Sequence, residues 1–192
     1  GVIVPLSIFL KKDEILFFLK NSQTKMFFAY QGNKDLQIYK EVSSSIKTYK
    51  NLSKLIIIEN NDLERIHPSK LIISYNSFLN NKSELLEFYP SDPSDTAVII
   101  YTSGTTGDPK GAELTHSNLG WNANLTADLF EFNIEDIVLT VLPLFHIYGQ
   151  SCLMNASIFK GLTNVLLPRF DPNLVLNEIK KTLKRGERVE LR

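Results

Sequence analysis

The sequence predicts an α/β protein built on largely parallel sheets flanked by helices. Three observations carry this. Runs such as Leu55-Ile56-Ile57-Ile58 and Ala97-Val98-Ile99-Ile100 are short, β-branched and unbroken in apolarity, the pattern of strands covered on both faces. Longer segments with apolar residues at helical spacing lie between such runs. The two kinds alternate along the chain, and strand–helix alternation packs as a parallel sheet covered by helices. A length of 192 residues with 43% hydrophobic residues allows one domain, or two small ones, with a real core.

Each element has its own justification. Leu10 to Leu19 is too long and too rich in Leu and Phe for one strand, and Asp13-Glu14 suits a first helical turn. Lys25 to Tyr30, ended by Gly32-Asn33, reads as a short buried strand. A polar stretch holding Ile46 and Tyr49 forms a weak helix, and Leu55 to Ile58 a core strand. Residues 60–95, rich in Asn, Ser, Asp and Pro, read as surface connection with one short helix near Ser77-Phe78-Leu79. Ala97 to Tyr101 is a buried strand that runs directly into a loop of glycines and threonines. Ala112 to Thr115 forms a short returning strand. His116 to Phe130 follows as a helix carrying Leu119, Ala123 and Phe130, with Thr115 or Ser117 as N-cap. Ile137 to Leu142 is a strand stopped by Pro143, Ile147 to Phe159 a helix ended by Gly161, and Asn164 to Leu167 a strand stopped by Pro168. Asp171-Pro172 opens a last helix, a cap followed by proline in the first turn. Leu176, Ile179 and Leu183 share one of its faces and Gly186 ends it.

Composition excludes several classes of function. The 21 Lys and Arg balance 21 Asp and Glu, which argues against a nucleic-acid binder, since that needs a basic face to displace counterions. Lys180, Lys181, Lys184 and Arg185 cluster at a helix C-terminus, where positive charge suits the dipole, and read as a solvated end. No apolar run approaches the roughly 20 residues that span a bilayer. The lone Cys152 excludes an internal disulfide and suits a reducing compartment, so a cytoplasmic location is expected. The start Gly1-Val2-Ile3, without methionine or the pattern of a secretory leader, reads as cut from a longer chain.

The chemistry concentrates in Tyr101-Thr102-Ser103-Gly104-Thr105-Thr106-Gly107-Asp108-Pro109-Lys110-Gly111. Thr102, Ser103, Thr105 and Thr106 offer four hydroxyl donors. Gly104 and Gly107 permit positive φ, so backbone N–H groups can converge on one point. Lys110 adds a positive charge on a long arm, and Pro109 stiffens its approach. Such a run is a phosphate cradle; a Ser/Thr-rich turn joining two strands would demand neither the lysine nor both glycines. It is not the P-loop, which needs Ser or Thr after its lysine where Gly111 stands here. Nor is it a dinucleotide fingerprint, since the glycine spacing is wrong and no helix opens at the loop.

This run, followed by Leu114-Thr115-His116 and Asn118-Leu119, resembles the signature loop of the AMP-forming acyl-CoA synthetases, members with luciferases and peptide-synthetase adenylation domains of the adenylate-forming superfamily. Leu142-Pro143-Leu144-Phe145-His146-Ile147-Tyr148-Gly149 resembles the next segment of those enzymes, at the expected distance. The opening, Pro5 and then Glu14-Ile15, is weakly similar to theirs. The resemblance reaches about Leu183 and departs mildly at Ala112, where the family usually has valine. It implies that the chain is a partial N-terminal adenylation domain with a subdomain break near residue 131. Most of one sheet would then lie before Phe130 and a few strands of the next after it. The family's later elements, an aromatic-Gly-x-Thr-Glu segment, an acidic residue for ribose and a C-terminal lysine, do not occur before Arg192. The residues from Gly186 to Arg192 do not resemble the family's continuation and read as a non-native tail.

The resemblance assigns roles. Thr102, Ser103, Gly104, Thr105, Thr106, Gly107 and Lys110 would hold the β- and γ-phosphates of ATP. Magnesium would bridge those phosphates, with Thr102 as the protein's ligand. Lys110 would stabilise the leaving pyrophosphate, and His146 would sit near the acyl carboxylate and the later thioester step with CoA. A structural, hydrogen-bonded His146 competes with that role because Phe145, Ile147 and Tyr148 surround it. His116 reads as orienting the helix after the loop, His67 as a surface residue, and Cys152 as core packing. Amino-acid-activating relatives place an aspartate near the second motif. Phe145 to Gly149 holds no carboxylate, which favours an uncharged acyl or aryl acid, a fatty acid first. Two alternatives stand beside the fatty-acid–CoA ligase: a non-catalytic truncated remnant that binds phosphate weakly, and an amino-acid adenylation domain. Strands left without partners would favour self-association.

Overall fold

A computed structural model describes residues 1–80, 89–102 and 107–184, with the side chains of 182–184 left aside. The chain parts into two compact units: Leu6–Pro90, and Gly1–Pro5 together with the chain from Ser91 onward.

The first unit runs α1 (Lys12–Asn21), β1 (Met26–Tyr30), α2 (Ile38–Ile46), β2 (Lys54–Ile58), β3 (Ile72–Ser74) and α3 (Tyr75–Asn80). Its three strands form a parallel sheet in the order β1-β2-β3, with Phe28 opposite Ile56 and Ile56 opposite Ile73. Alternation along the strands sends Leu55 and Ile57 into a core with Ala29 and with Ile15, Leu19, Val42 and Ile46 of the two helices. The first turn of α1 is closed by two carboxylates. Lys11 N donates to Glu14 Oε2 at 2.8 Å and Lys12 N to Glu41 Oε2 of α2 at 3.1 Å. Two expectations change. β1 is an edge strand and not buried: Met26, Phe28 and Tyr30 are 42, 47 and 41% exposed, because α3 shields the sheet's second face mainly over β2 and β3. The stretch read as connection supplies a strand of its own, β3, too short to show a period in sequence.

The second unit holds β4 (Thr96–Thr102), β5 (Lys110–Thr115), α4 (His116–Leu129), β6 (Ile137–Thr140), a π-helical turn (Gly149–Asn155), α5 (Ala156–Lys160), β7 (Thr163–Leu166) and α6 (Pro172–Lys184). β4 and β5 are antiparallel and β6 and β7 parallel. Ile3 adds a bridge on β4: its amide donates to Ala97 O and its carbonyl accepts from Ile99 N, both at 2.9 Å. The stretch before Phe130 therefore contributes to two sheets, not one. α4, before residue 131, packs on the π-helical turn and α5 after it. The tail from Gly186 lies outside the described residues. Among the described residues no helix is long and apolar enough to cross a membrane.

The caps follow the sequence. Thr115 Oγ1 accepts from Asn118 N at 3.1 Å while Asn118 Oδ1 accepts from Thr115 N at 3.0 Å, a reciprocal box at the start of α4. Asp171 Oδ1 accepts from Asn173 N at 2.8 Å and Leu174 N at 3.2 Å, opening α6. The helix expected over Ile147–Phe159 is present and begins at Ile147, with a π-helical segment over Gly149–Asn155 inside it. A buried chain of side chains accompanies it: Thr140 and Asn164 bond at 2.7 Å, Asn164 Nδ2 donates to Ser157 Oγ at 3.3 Å, and Ser157 Oγ donates to the Leu153 carbonyl. Replacing Thr115 with alanine removes the α4 cap and should cost about 1 kcal/mol in urea unfolding; an unchanged midpoint would refute the cap's contribution.

Candidate functional site

β4 and β5 make a hairpin, and its loop end carries the candidate residues. Thr102 closes β4, Lys110 opens β5, and the two are register partners. Directly opposed residues of an antiparallel pair project to the same face about 5 Å apart. The Thr102 hydroxyl and the Lys110 ammonium thus share one face, and both residues are exposed. Gly107, in the connection between them, has φ of 152°, a conformation reserved for glycine. Ser103, Gly104, Thr105 and Thr106 lie outside the described residues.

The inward face of β4 fixes the hairpin. Ala97, Val98 and Ile100 are buried, and Leu114 of β5, Leu119 of α4 and Ile147 pack against them. Ile147 belongs to the second motif, so this contact brings Leu142–Gly149 against the strand that ends at Thr102. The motif folds into a closed turn. His146 N donates to Pro143 O at 3.0 Å, and Gln150 N donates to His146 O at 3.0 Å. A Cβ on Gly149 would stand 2.5 Å from Pro143 O, so only glycine lets the two backbones approach this closely. His146 is exposed, and its Nδ1 accepts from Tyr148 N at 3.2 Å. It is at once hydrogen-bonded within its own turn and open to a ligand.

The other candidates fall where packing puts them. His116 is exposed at the first position of α4, with its amide donating to Asp95 O at 3.1 Å, and His67 is exposed. Cys152 is half-buried in the π-helical turn, 3.8 Å from Thr126 Oγ1. The Asp92 carboxyl, in the turn that leads into β4, is held below the usual carboxylate range by the Ser94 hydroxyl at 2.5 Å and the Ser94 amide at 2.8 Å. Among the described residues no group of three or more His, Cys, Asp or Glu stands close enough to hold a metal ion. Two features escaped sequence reasoning: the joining role of Ile147 and the closeness demanded at Gly149. The available signals were a β-branched residue beside an exposed histidine and a glycine closing the motif.

Comparison with known proteins now bears on this geometry. Residues 1–185 match the family described as AMP-binding enzyme. The long-chain-fatty-acid–CoA ligase of Bacillus subtilis (strain 168) is 31% identical over 94% of this chain and 35% of its own length. The indoleacetate–CoA ligase of Aromatoleum aromaticum is 39% identical over 57% of this chain and 22% of its own length. ATP-bound MatB from Rhodopseudomonas palustris superposes with a TM-score of 0.73 at 24% identity, over 94% of this chain and 33% of that one. The chain thus spans about a third or less of the length of these relatives.

The turn around His146 gives a direct test of the site's construction. Gly149→Ala places a methyl group against two backbone carbonyls, so it should destabilise the protein by roughly 1–3 kcal/mol, read by chemical denaturation. Full stability in that variant would show that the turn is looser than described.

Proposed function

The chain belongs to the AMP-binding enzyme family, and on that premise we propose that it is the front part of an acyl-CoA synthetase whose β4–β5 hairpin holds the phosphates of ATP. The pairing of Thr102 with Lys110 at the loop end of the hairpin carries this reading. A hydroxyl and an ammonium on one exposed face, with glycine-bearing backbone between them, suit a polyphosphate anion.

In this reading one oxygen of the acid's carboxylate attacks the α-phosphorus, the bond from that phosphorus to the bridging oxygen breaks, and pyrophosphate leaves with the electron pair. Lys110 and the donors of the loop, Thr102, Ser103, Gly104, Thr105, Thr106 and Gly107, meet the charge that grows on the leaving group. One such preorganised donor is worth about 3 kcal/mol of barrier. Magnesium would supply Lewis-acid neutralisation of that charge, with Thr102 as its proposed protein ligand. The thiolate of CoA then attacks the acyl carbonyl and AMP departs. The acid is uncharged beyond its carboxyl group, because Phe145–Gly149 offers no counter-ion to an ammonium. A fatty acid is the first choice, supported by the Bacillus subtilis relative, with aryl acids next in view of the indoleacetate enzyme. The free Cys152 supports a cytoplasmic location.

Taken alone, the 192-residue chain is read as binding phosphate weakly without turnover, and as self-associating through the open edges of the two-stranded β6–β7 sheet. Calorimetric titration with Mg-ATP should give an affinity weaker than about micromolar, and gel filtration should show association. Micromolar binding would overturn the first statement and a monodisperse monomer the second. In the full-length protein, Lys110→Ala should lower fatty-acid-dependent ATP–pyrophosphate exchange by about tenfold or more; an unchanged rate defeats the role given to Lys110.

A further inference from the structure

Lys110 is followed by a glycine whose missing side chain leaves a place that its neighbours fill. Side chains alternate along a strand, so position 111 faces away from Thr102 and Lys110. Tyr101 is the partner of Gly111 across the hairpin, and Ile99 comes next along that face of β4. Both lean into the empty place. A Cβ on Gly111 would stand 2.8 Å from Ile99 Cγ2 and 3.2 Å from Tyr101 Cε1. Carbon atoms pack at roughly 3.5–4.0 Å, so one strand would have to give way.

How each strand is held decides which one yields. β4 is packed through Ala97, Val98 and Ile100. Its second edge is tied to Ile3, whose carbonyl accepts from Ile99 N at 2.9 Å. Ile99 is also β-branched, so its Cγ2 does not turn aside cheaply. Among the described residues β5 pairs with β4 alone, and Lys110, Gly111 and Ala112 at its start are exposed. Crowding at position 111 therefore lifts the start of β5 and carries Lys110 with it. We propose that Gly111 is a positioning residue for Lys110: its absent side chain lets the end of the hairpin close, which holds the ammonium beside the Thr102 hydroxyl. The proposal rests on the phosphate-binding reading of the hairpin. A displacement of about 1 Å at such a contact is enough to cost tenfold or more.

The test uses the full-length protein with Gly111→Ala, Ile99→Ala and the two combined. Gly111→Ala should raise the ATP concentration for half-maximal ATP–pyrophosphate exchange about tenfold, with that for the acid within about threefold. Loss of folded protein lowers the maximal rate and leaves both concentrations unchanged, so that pattern marks a merely structural glycine and overturns the proposal. A Gly111→Ala protein that does not fold overturns it too, because the crowding would then not be confined to the start of β5. Ile99→Ala removes Cγ2. Added to Gly111→Ala, it should return the ATP requirement to within about threefold of Ile99→Ala alone; a combined variant as impaired as Gly111→Ala overturns the steric cause. If the unsubstituted protein exchanges with no acid, the ligase reading fails, and calorimetric titration of the same variants with Mg-ATP still decides the role of Gly111. Absence of Mg-ATP binding by the unsubstituted protein overturns both.

Discussion

The seating of Ile147 on β4 is the contact on which the site depends. β4 is held from within by Ala97, Val98 and Ile100, and the apolar surface these leave is shared between Leu114, Leu119 and Ile147. Each of the three belongs to a different segment: the returning strand, the helix behind it, and the histidine-bearing turn. Burial of a side chain like Ile147 is worth about 1–3 kcal/mol, enough to locate a turn that has few other apolar anchors. His146, one residue before that anchor, is exposed because its neighbour is not.

The polar groups around the site follow from this packing. Thr115 and Asn118 cap α4 reciprocally, which fixes where the helix begins relative to the end of β5. The Asp92–Asp95 turn is tightened by Ser94, and the amides of His116 and Ser117 donate to Asp95 O and Pro93 O, so the entrance to β4 and the exit of β5 are tied together. The Thr96–Thr115 end of the hairpin is therefore tied down, opposite the loop end that carries Thr102 and Lys110. A cradle for an anion needs that division, because donors that must reorganise lose much of their electrostatic advantage.

Much of this was legible in the sequence. β2, β4 and β6 announce themselves as β-branched runs, and Thr115 and Asp171 as caps, because each signal is local. β3 was not legible, since three residues carry no period and its pairing is supplied by β2. The exposure of β1 was not either: Met26, Phe28 and Tyr30 are as apolar as a buried strand, and only the placing of α3 over β2 and β3 leaves their face uncovered. The side-chain links beside the π-helical turn were not legible, since Thr140 and Asn164 pair across the β6–β7 sheet. For the candidate site, residue types singled out Thr102, Lys110 and His146. The pairing of the first two and the hydrogen bond on the third are facts of register and backbone closure.

The hairpin is antiparallel in a protein whose other described strand pairs run parallel. A parallel pair needs a crossover through another element before its strands can meet, whereas Thr96–Thr115 closes on itself within one contiguous stretch. Such local closure happens within microseconds and owes little to distant sequence. The alignment of Thr102 with Lys110 thus needs no crossover connection, and the packing of Leu119 and Ile147 on β4 holds it.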